Sequence, residues 1–318
     1  MRSQAVDNCP DSGSRPPAVR HRLGVTRTSW VEELHGAFLG SHAVDAGVLT
    51  RNQLRGNRYT RLFRDVYVPV GYPRTHAVRC EAAALVVPET AVLTGRSAAA
   101  TLGVDLTRPA DPVEWLVQEG LQFRFPGMVV KRMPISTADW RQGEFCRIAS
   151  PARMAFDLAR QPNIRKAVSH LDAVLAGGLV DLADVRHYSW ARSEHGVRNA
   201  RAAVDLADGR AESPPESELR VVLVLGGFQV TPQVPIADRG RLVARVDLAV
   251  DGYKVAIEYD GQWHALREQL EADRGRLRRL RDAGWEVVHV TATDLAGDPS
   301  AICDAVRRAC VRAARRAH

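Results

Sequence analysis

Residues 242–264 read LVARVDLAVDGYKVAIEYDGQWH, and the alternation on either side of Asp251-Gly252 decides the fold of the last third of the chain. An Asp-Gly pair suits the positive φ angles of a tight turn, so strands over 242–250 and 253–260 are predicted to fold back on one another. With those two residues as the turn, Asp247 faces Ala256 and Arg245 faces Glu258. Side chains alternate along a strand, which puts Arg245, Asp247, Ala256, Glu258 and Asp260 on one side. Val246, Leu248, Val250, Val255, Ile257 and Tyr259 take the other, the expected core side. Asp247 lies diagonal to Glu258, roughly 7–8 Å away in an ideal ladder. Three carboxylates on one half-buried face repel one another unless a cation or an arginine neutralises them.

Each acid taken singly also has a plain structural reading. Arg245 opposite Glu258 makes a cross-strand ion pair, and Asp260 before Gly261 closes a strand in a turn. His264, just beyond, serves either as a turn residue or as a group that moves protons near neutral pH. The order of surrounding elements favours a joint site. Ser213-Pro214-Pro215-Glu216 opens a helix, three strands follow over 228–236, 242–250 and 253–260, and a helix over 266–283 places Leu266, Leu270, Leu277 and Leu280 on one face. Gly284 caps that helix, 285–291 forms a fourth strand, and 299–316 a basic last helix. The expected fold class is thus an α/β C-terminal domain of order α-β-β-β-α-β, preceded by an α+β N-terminal module.

This order, with an acid on the second strand and E-x-D on the third, resembles the PD-(D/E)XK nuclease superfamily. The segments ESELR, VDLAV, AIEYDGQWH and LRDAGWEVVHVTATDL look most like an uncharacterised bacterial endonuclease-like family related to very-short-patch-repair endonucleases. The resemblance covers about residues 213–296. It implies a restriction-endonuclease-like core, with Asp247 as the central metal-binding aspartate, Glu258 at the D/E position and Glu216 as the first-helix glutamate. It also implies Mg²⁺, or alternatively Mn²⁺, and hydrolysis of DNA phosphodiesters. A hard cation held by one or two carboxylates and substrate phosphates fits that chemistry. Where the superfamily pattern carries lysine, this chain carries Asp260, so Asp260 or His264 is left to manage the attacking water. Lys254 lies four residues before Glu258, about 13 Å along an extended strand, and does not substitute. Glu216 has a second reading as the far end of a Ser213 capping box.

Arg274, Arg278 and Arg281 recur along the helix after the hairpin and are candidate phosphate contacts, or else a solvated face beside Glu268, Glu271, Asp273 and Asp282. Only three of the 44 basic residues are lysines, so the choice of arginine at any one position carries little information. The net charge of +7 over 318 residues is compatible with a polyanionic partner, DNA above all. The cysteines Cys9, Cys80, Cys146, Cys303 and Cys310 are scattered without metal-ligand spacing, which argues against zinc. No apolar run is long enough for a membrane span, so a cytoplasmic location is expected.

Upstream, residues 1–28 read as a disordered arm rich in Ser, Pro, Arg and Asp. Residues 29–107 alternate two brief helices, a strand-like run over 59–70 and two further helices. The stretch resembles the winged helix-turn-helix start of AbiEi-type antitoxin and regulator proteins through GVLTRNQL, RLFRDVYVP and LTGRSAAATLG. That resemblance implies contact with DNA or a protein partner, with Arg51, Arg55, Arg58, Arg61 and Arg64 placed to track phosphates. Residues 108–208 are expected to form a small sheet and a helical region without a catalytic constellation, 209–215 a linker, and 216–318 the nuclease-like domain. Two functions follow: a metal-dependent DNA endonuclease, and a non-enzymatic DNA-binding or toxin–antitoxin-type regulator whose nuclease fold has lost its chemistry.

Overall fold

The computed structural model describes residues 35–261 and 267–316. It is a mixed α/β structure built on three separate sheets. No helix among the described residues is long and apolar enough to cross a membrane.

The first sheet has the order β1-β3-β2, with β1 at Phe38–Leu39, β2 at Tyr59–Phe63 and β3 at Val66–Pro69. The single run expected over 59–70 is a hairpin. Asp65 turns it with φ at 64°, a left-handed angle that Asp tolerates better than most residues. Its carboxylate accepts both the backbone N–H of Ser41, at 2.8 Å, and the Ser41 hydroxyl, at 2.5 Å. Two short helices, α1 (Gly40–Asp45) and α2 (Arg51–Arg55), lie between β1 and β2. Thr50 and Gln53 close a reciprocal cap on α2, which compensates a helix with no buried residue of its own. Phe38, Ala43 and Leu49 form a small core beside the ring of Tyr59.

The second sheet runs β6-β5-β4-β8-β7, using Val92–Leu93 (β4), Val113–Val117 (β5), Met128–Arg132 (β6), Trp140–Gln142 (β7) and Arg147–Ala149 (β8). All five residues of β5 are buried. Helices α3 (His76–Ala84), α4 (Gly95–Thr101), α5 (Pro151–Ala159), α6 (Ile164–Ala176), α7 (Leu182–Trp190) and α8 (Val197–Leu206) surround this sheet. Trp115, Phe156 and Leu171 anchor one continuous core that also takes in Phe63 and Val66 of the first hairpin.

The third sheet follows α9 (Pro214–Leu225) and has the order β12-β11-β10-β9, from Val230–Asp238 (β9), Arg241–Val250 (β10), Val255–Asp260 (β11) and Glu286–Thr291 (β12). Helix α10 (Arg267–Asp282) connects β11 to a parallel β12, and α11 (Ala292–Ala296) and α12 (Pro299–Arg316) complete the chain. The order of elements is the one read from the sequence, with the short helix α11 added after β12. The hairpin register is not. The Asp251-Gly252 turn forms where expected, with the Tyr253 N–H on the Val250 carbonyl at 3.2 Å, but Leu248 pairs with Ile257 and Ala249 with Ala256. Lys254 is drawn toward β12 instead: its carbonyl accepts the Glu286 N–H at 2.8 Å and its Nζ donates to the Ala283 carbonyl at 3.2 Å. A four-residue loop therefore replaces the two-residue one.

The faces also differ from simple alternation. Leu248 and Val250 pack with α9 and α12 residues such as Leu219 and Val306, whereas Val246 packs with Ala249, Ala256 and Leu280 of α10. On β9 the same exchange separates Val230 from Ile236. It occurs at Gln233, which takes φ 55° in mid-strand and so interrupts the side-chain period of two. Helix α9 stands between the large cores: Val221 joins the one around Trp115, and Leu219, Val222 and Leu223 join the one over the third sheet. The segment 209–215 expected as a linker thus leads into a helix packed on both sides, held to α6 by Arg220–Asp172 at 2.8 Å and Lys166–Glu218 at 2.6 Å.

Candidate functional site

Extending the observed register by one residue brings Asp247 directly abreast of Glu258, closer than the diagonal relation expected from a two-residue turn. Here the ladder gives way to a side chain: the Asp247 carboxylate accepts the Tyr259 backbone N–H at 2.8 Å. Glu258 is only 5% exposed, and both of its oxygens accept from Arg276 of α10, at 3.0 and 2.7 Å. The expected pair of Glu258 with Arg245 does not form; Arg245 binds Glu212 at 2.6 Å. Such a two-pronged guanidinium–carboxylate contact is geometrically specific as well as strong.

Glu216 joins the group from the first turn of α9. It accepts the Ser213 hydroxyl at 2.7 Å, the Glu212 N–H at 3.0 Å and Nε2 of Gln233 at 2.8 Å. The reciprocal capping box does not form, since Glu216 takes the Glu212 N–H and not that of Ser213, although the Ser213 hydroxyl still accepts the Glu216 N–H; Gln233, turned by its positive φ, ties the helix start to the sheet. Burial drives the Asp247 carboxyl up to about 6; the Tyr259 N–H opposes that rise, the negative charges of Glu258 and Glu216 add to it, and Arg276 opposes it. Among the described residues, Arg276 is bonded to one of these three acids, Glu258.

Asp260 stands apart from this trio. Its carboxylate contacts Nδ1 of His289 at 3.0 Å, across the parallel β11–β12 pairing. His264 lies outside the described residues, as does the side chain of Arg274. Arg278 and Arg281 are exposed on α10, whereas Arg276, just before them, turns inward to Glu258. Arg276, His289 and Gln233 are participants that the sequence reading did not single out. Periodicity on α10 marks Arg276 as sharing a helix side with Leu280, four residues on and fully buried, and that was the available signal. His289 carried none, since its partner is set by a non-local parallel register.

The donor set has the chemistry of a hard-cation site, being all carboxylate. As arranged, it does not form a cation's shell: Arg276 occupies both Glu258 oxygens, and among the described residues no three His, Cys, Asp or Glu side chains lie together in ligating positions. The arginine supplies the neutralising charge.

In the first module, Arg51, Arg55, Arg58, Arg61 and Arg64 are all exposed along α2, β2 and the adjoining turns. They give the first sheet a basic surface suited to phosphates.

A family model described as the AbiEi antitoxin C-terminal domain matches residues 85–208, which hold the second sheet and helices α4–α8. Two curated relatives from Mycobacterium tuberculosis, the uncharacterized proteins MT2308 (strain CDC 1551 / Oshkosh) and Rv2248 (strain ATCC 25618 / H37Rv), are each 32% identical over 162 residues. The matched segment makes up 50% of this chain and 60% of each relative, so the chain spans less than two thirds of the relatives' length. Among solved structures, the RV2827C protein from Mycobacterium tuberculosis is similar with a TM-score of 0.40 and 14% identity, over 65% of this chain and 82% of that one. The middle of the chain is therefore similar to the C-terminal domain of an antitoxin family, and that similarity ends before the helix that carries Glu216.

Proposed function

We propose that the protein is a DNA-binding regulator of the toxin–antitoxin type. The observation that carries this reading is an arrangement: a three-stranded sheet with two short helices and five exposed arginines directly precedes a region similar to the AbiEi antitoxin C-terminal domain. The first module resembles a winged helix in having a helix pair followed by a β-hairpin. Helix α2 has only five residues, so it offers few side chains to base edges, and phosphate contacts carry most of the affinity. The test is a gel shift with the duplex upstream of the protein's own coding sequence. Retarded complexes that disappear in an Arg51→Glu/Arg55→Glu variant are expected, and absence of any shift by the wild type at low salt would sink the reading.

A second reading, metal-dependent cleavage of DNA, is favoured by one observation. Asp247 is raised to about 6 in the company of Glu258 and Glu216, an excess of negative charge that Mg²⁺ would relieve if Arg276 left Glu258. In that reading Asp247, Glu258 and Glu216 would hold the ion, and the Asp260–His289 pair remains outside the group. Incubating plasmid with the protein, with Mg²⁺ or EDTA, decides it: cutting that survives Asp247→Ala or EDTA excludes these acids.

A further inference from the structure

The first and second sheets meet at a cleft of about 830 Å³ whose charged lining is all arginine. Arg61 and Arg64 come from the first hairpin, Arg79 from α3 and Arg124 from the loop before β6. No acidic residue lines it, and none of the four guanidinium groups meets a carboxylate among the described residues. Four like charges in one cleft repel one another, so the arrangement is costly unless an anion fills it.

The cleft is also built. The Arg79 guanidinium lies over the Phe63 ring at 4.5 Å, a cation–π contact that fixes the plane of its donors. Phe63 is itself buried and packs edge-on against Phe125 at 6.1 Å. Nε of Arg79 is buried and has no hydrogen-bond partner, which leaves a donor unsatisfied inside the structure. Gly127 closes the other side at φ 79°, and a Cβ there would fall 2.7 Å from Nη2 of Arg79. Only glycine both takes that backbone angle with ease and lets the loop approach so closely. A guanidinium held between a ring and a glycine, with no carboxylate partner among the described residues, suits contact with a phosphate.

We infer that this cleft is a binding site for the phosphodiester backbone of duplex DNA, seating phosphates between the first hairpin and the loop Arg124–Gly127. The inference rests on the DNA-binding reading above and gives it a second contact surface, separate from α2. Duplex backbone is favoured over a small anion because Arg58, Arg61 and Arg64 continue the positive charge out of the cleft along the exposed hairpin. It also compensates for the shortness of α2, since clamping the backbone from the side needs no base readout.

The experiment uses the full chain and a fluorescent random-sequence duplex, because backbone contacts are sequence-independent, with anisotropy read over a range of salt. Replacing Arg61, Arg64 and Arg124 together by alanine is expected to weaken binding roughly tenfold and to reduce the salt slope by about 2 to 3, near one per lost phosphate contact. An Arg198→Ala/Arg308→Ala control, at exposed arginines on α8 and α12, should leave both unchanged. The single reversals Arg64→Glu and Arg124→Glu, both at exposed sites, decide the matter if the triple variant unfolds. Wild-type binding that persists in these variants with its affinity and slope intact overturns the cleft alone. A wild type that binds no duplex overturns the DNA-binding reading and the cleft together. Competition by inorganic phosphate or a mononucleotide as strong as that of unlabelled duplex overturns the backbone assignment in favour of a small anion.

Discussion

Two clusters in which arginine meets buried carboxylate stand in opposite states of balance. Arg153, fully buried, bonds Asp157 at 3.0 Å and Glu194 at 3.4 Å, while Arg160 and Arg192 reach the same acids and Asp139. Three arginines there face three carboxylates, and Thr94 adds a hydrogen bond to Asp157 at 2.7 Å. Burial works against the Asp139 charge, yet hydrogen bonds from Tyr188 and Ser136 and the charge of Arg192 hold its carboxyl below the usual range. At the third sheet, among the described residues, Glu258 pairs with Arg276 while Asp247 and Glu216 form no ion pair with an arginine, and Asp247 moves the other way, to about 6. A balanced network is scaffold; an unbalanced one keeps a capacity to take up positive charge. The first lies inside the region similar to the antitoxin domain and the second lies outside it.

The largest effect is expected where balance is broken by substitution. Arg153→Met leaves Asp157 buried without its main partner and should cost about 3–5 kcal/mol, read as a lower urea midpoint. A loss below about 1 kcal/mol would mean the network is not the scaffold described. At the unbalanced site the sign reverses. An acid raised from 3.8 to about 6 binds more protons folded than unfolded between those values. Its contribution is therefore favourable at low pH and is lost as pH rises from about 4 through about 6. Asp247→Asn should flatten that slope and stabilise the protein at pH 7, by on the order of 1–2 kcal/mol after discounting for solvent screening. Urea midpoints at pH 4.5 and pH 7 for both proteins give the answer, and a variant with the same pH slope as the wild type would refute the assignment.

A smaller effect is expected from added cation. In an Arg276→Ala variant, 10 mM Mg²⁺ should raise the thermal midpoint by the equivalent of about 1.4 kcal/mol if the ion binds near 1 mM, with a lesser gain in the wild type. Equal gains in an Arg276→Ala/Asp247→Asn protein would place the ion elsewhere. The smallest concerns the half-exposed Arg186–Asp205 pair, where Arg186→Ala should change stability by less than about 1 kcal/mol.

The sequence was legible where information is local. Strand and helix periods laid out most elements of residues 213–316 and set Asp247 near Glu258, whereas Glu216 was joined to them only by the family resemblance. It was opaque where a single backbone angle or a distant partner decides. Nothing in the run around Gln233 announces a left-handed residue in mid-strand, yet that angle exchanges the faces of β9 and β10 and frees Gln233 to reach Glu216. Lys254 looked like half of a strand pair and is held by β12, which lengthened the hairpin loop and changed the partner of Asp247. Arg245 and Arg276 were both present as partners for Glu258, and only the packing of α10 chose between them.

The placement of α9 bears on how the chain can be divided. A cut in the polar stretch before Pro214 looks harmless, but it assigns a single wall to one of two rooms. The piece ending near residue 208 would lose Val221 from its core and expose Asp172, whose partner Arg220 leaves with the other piece. Neither half would then keep both its core and its buried ion pair intact.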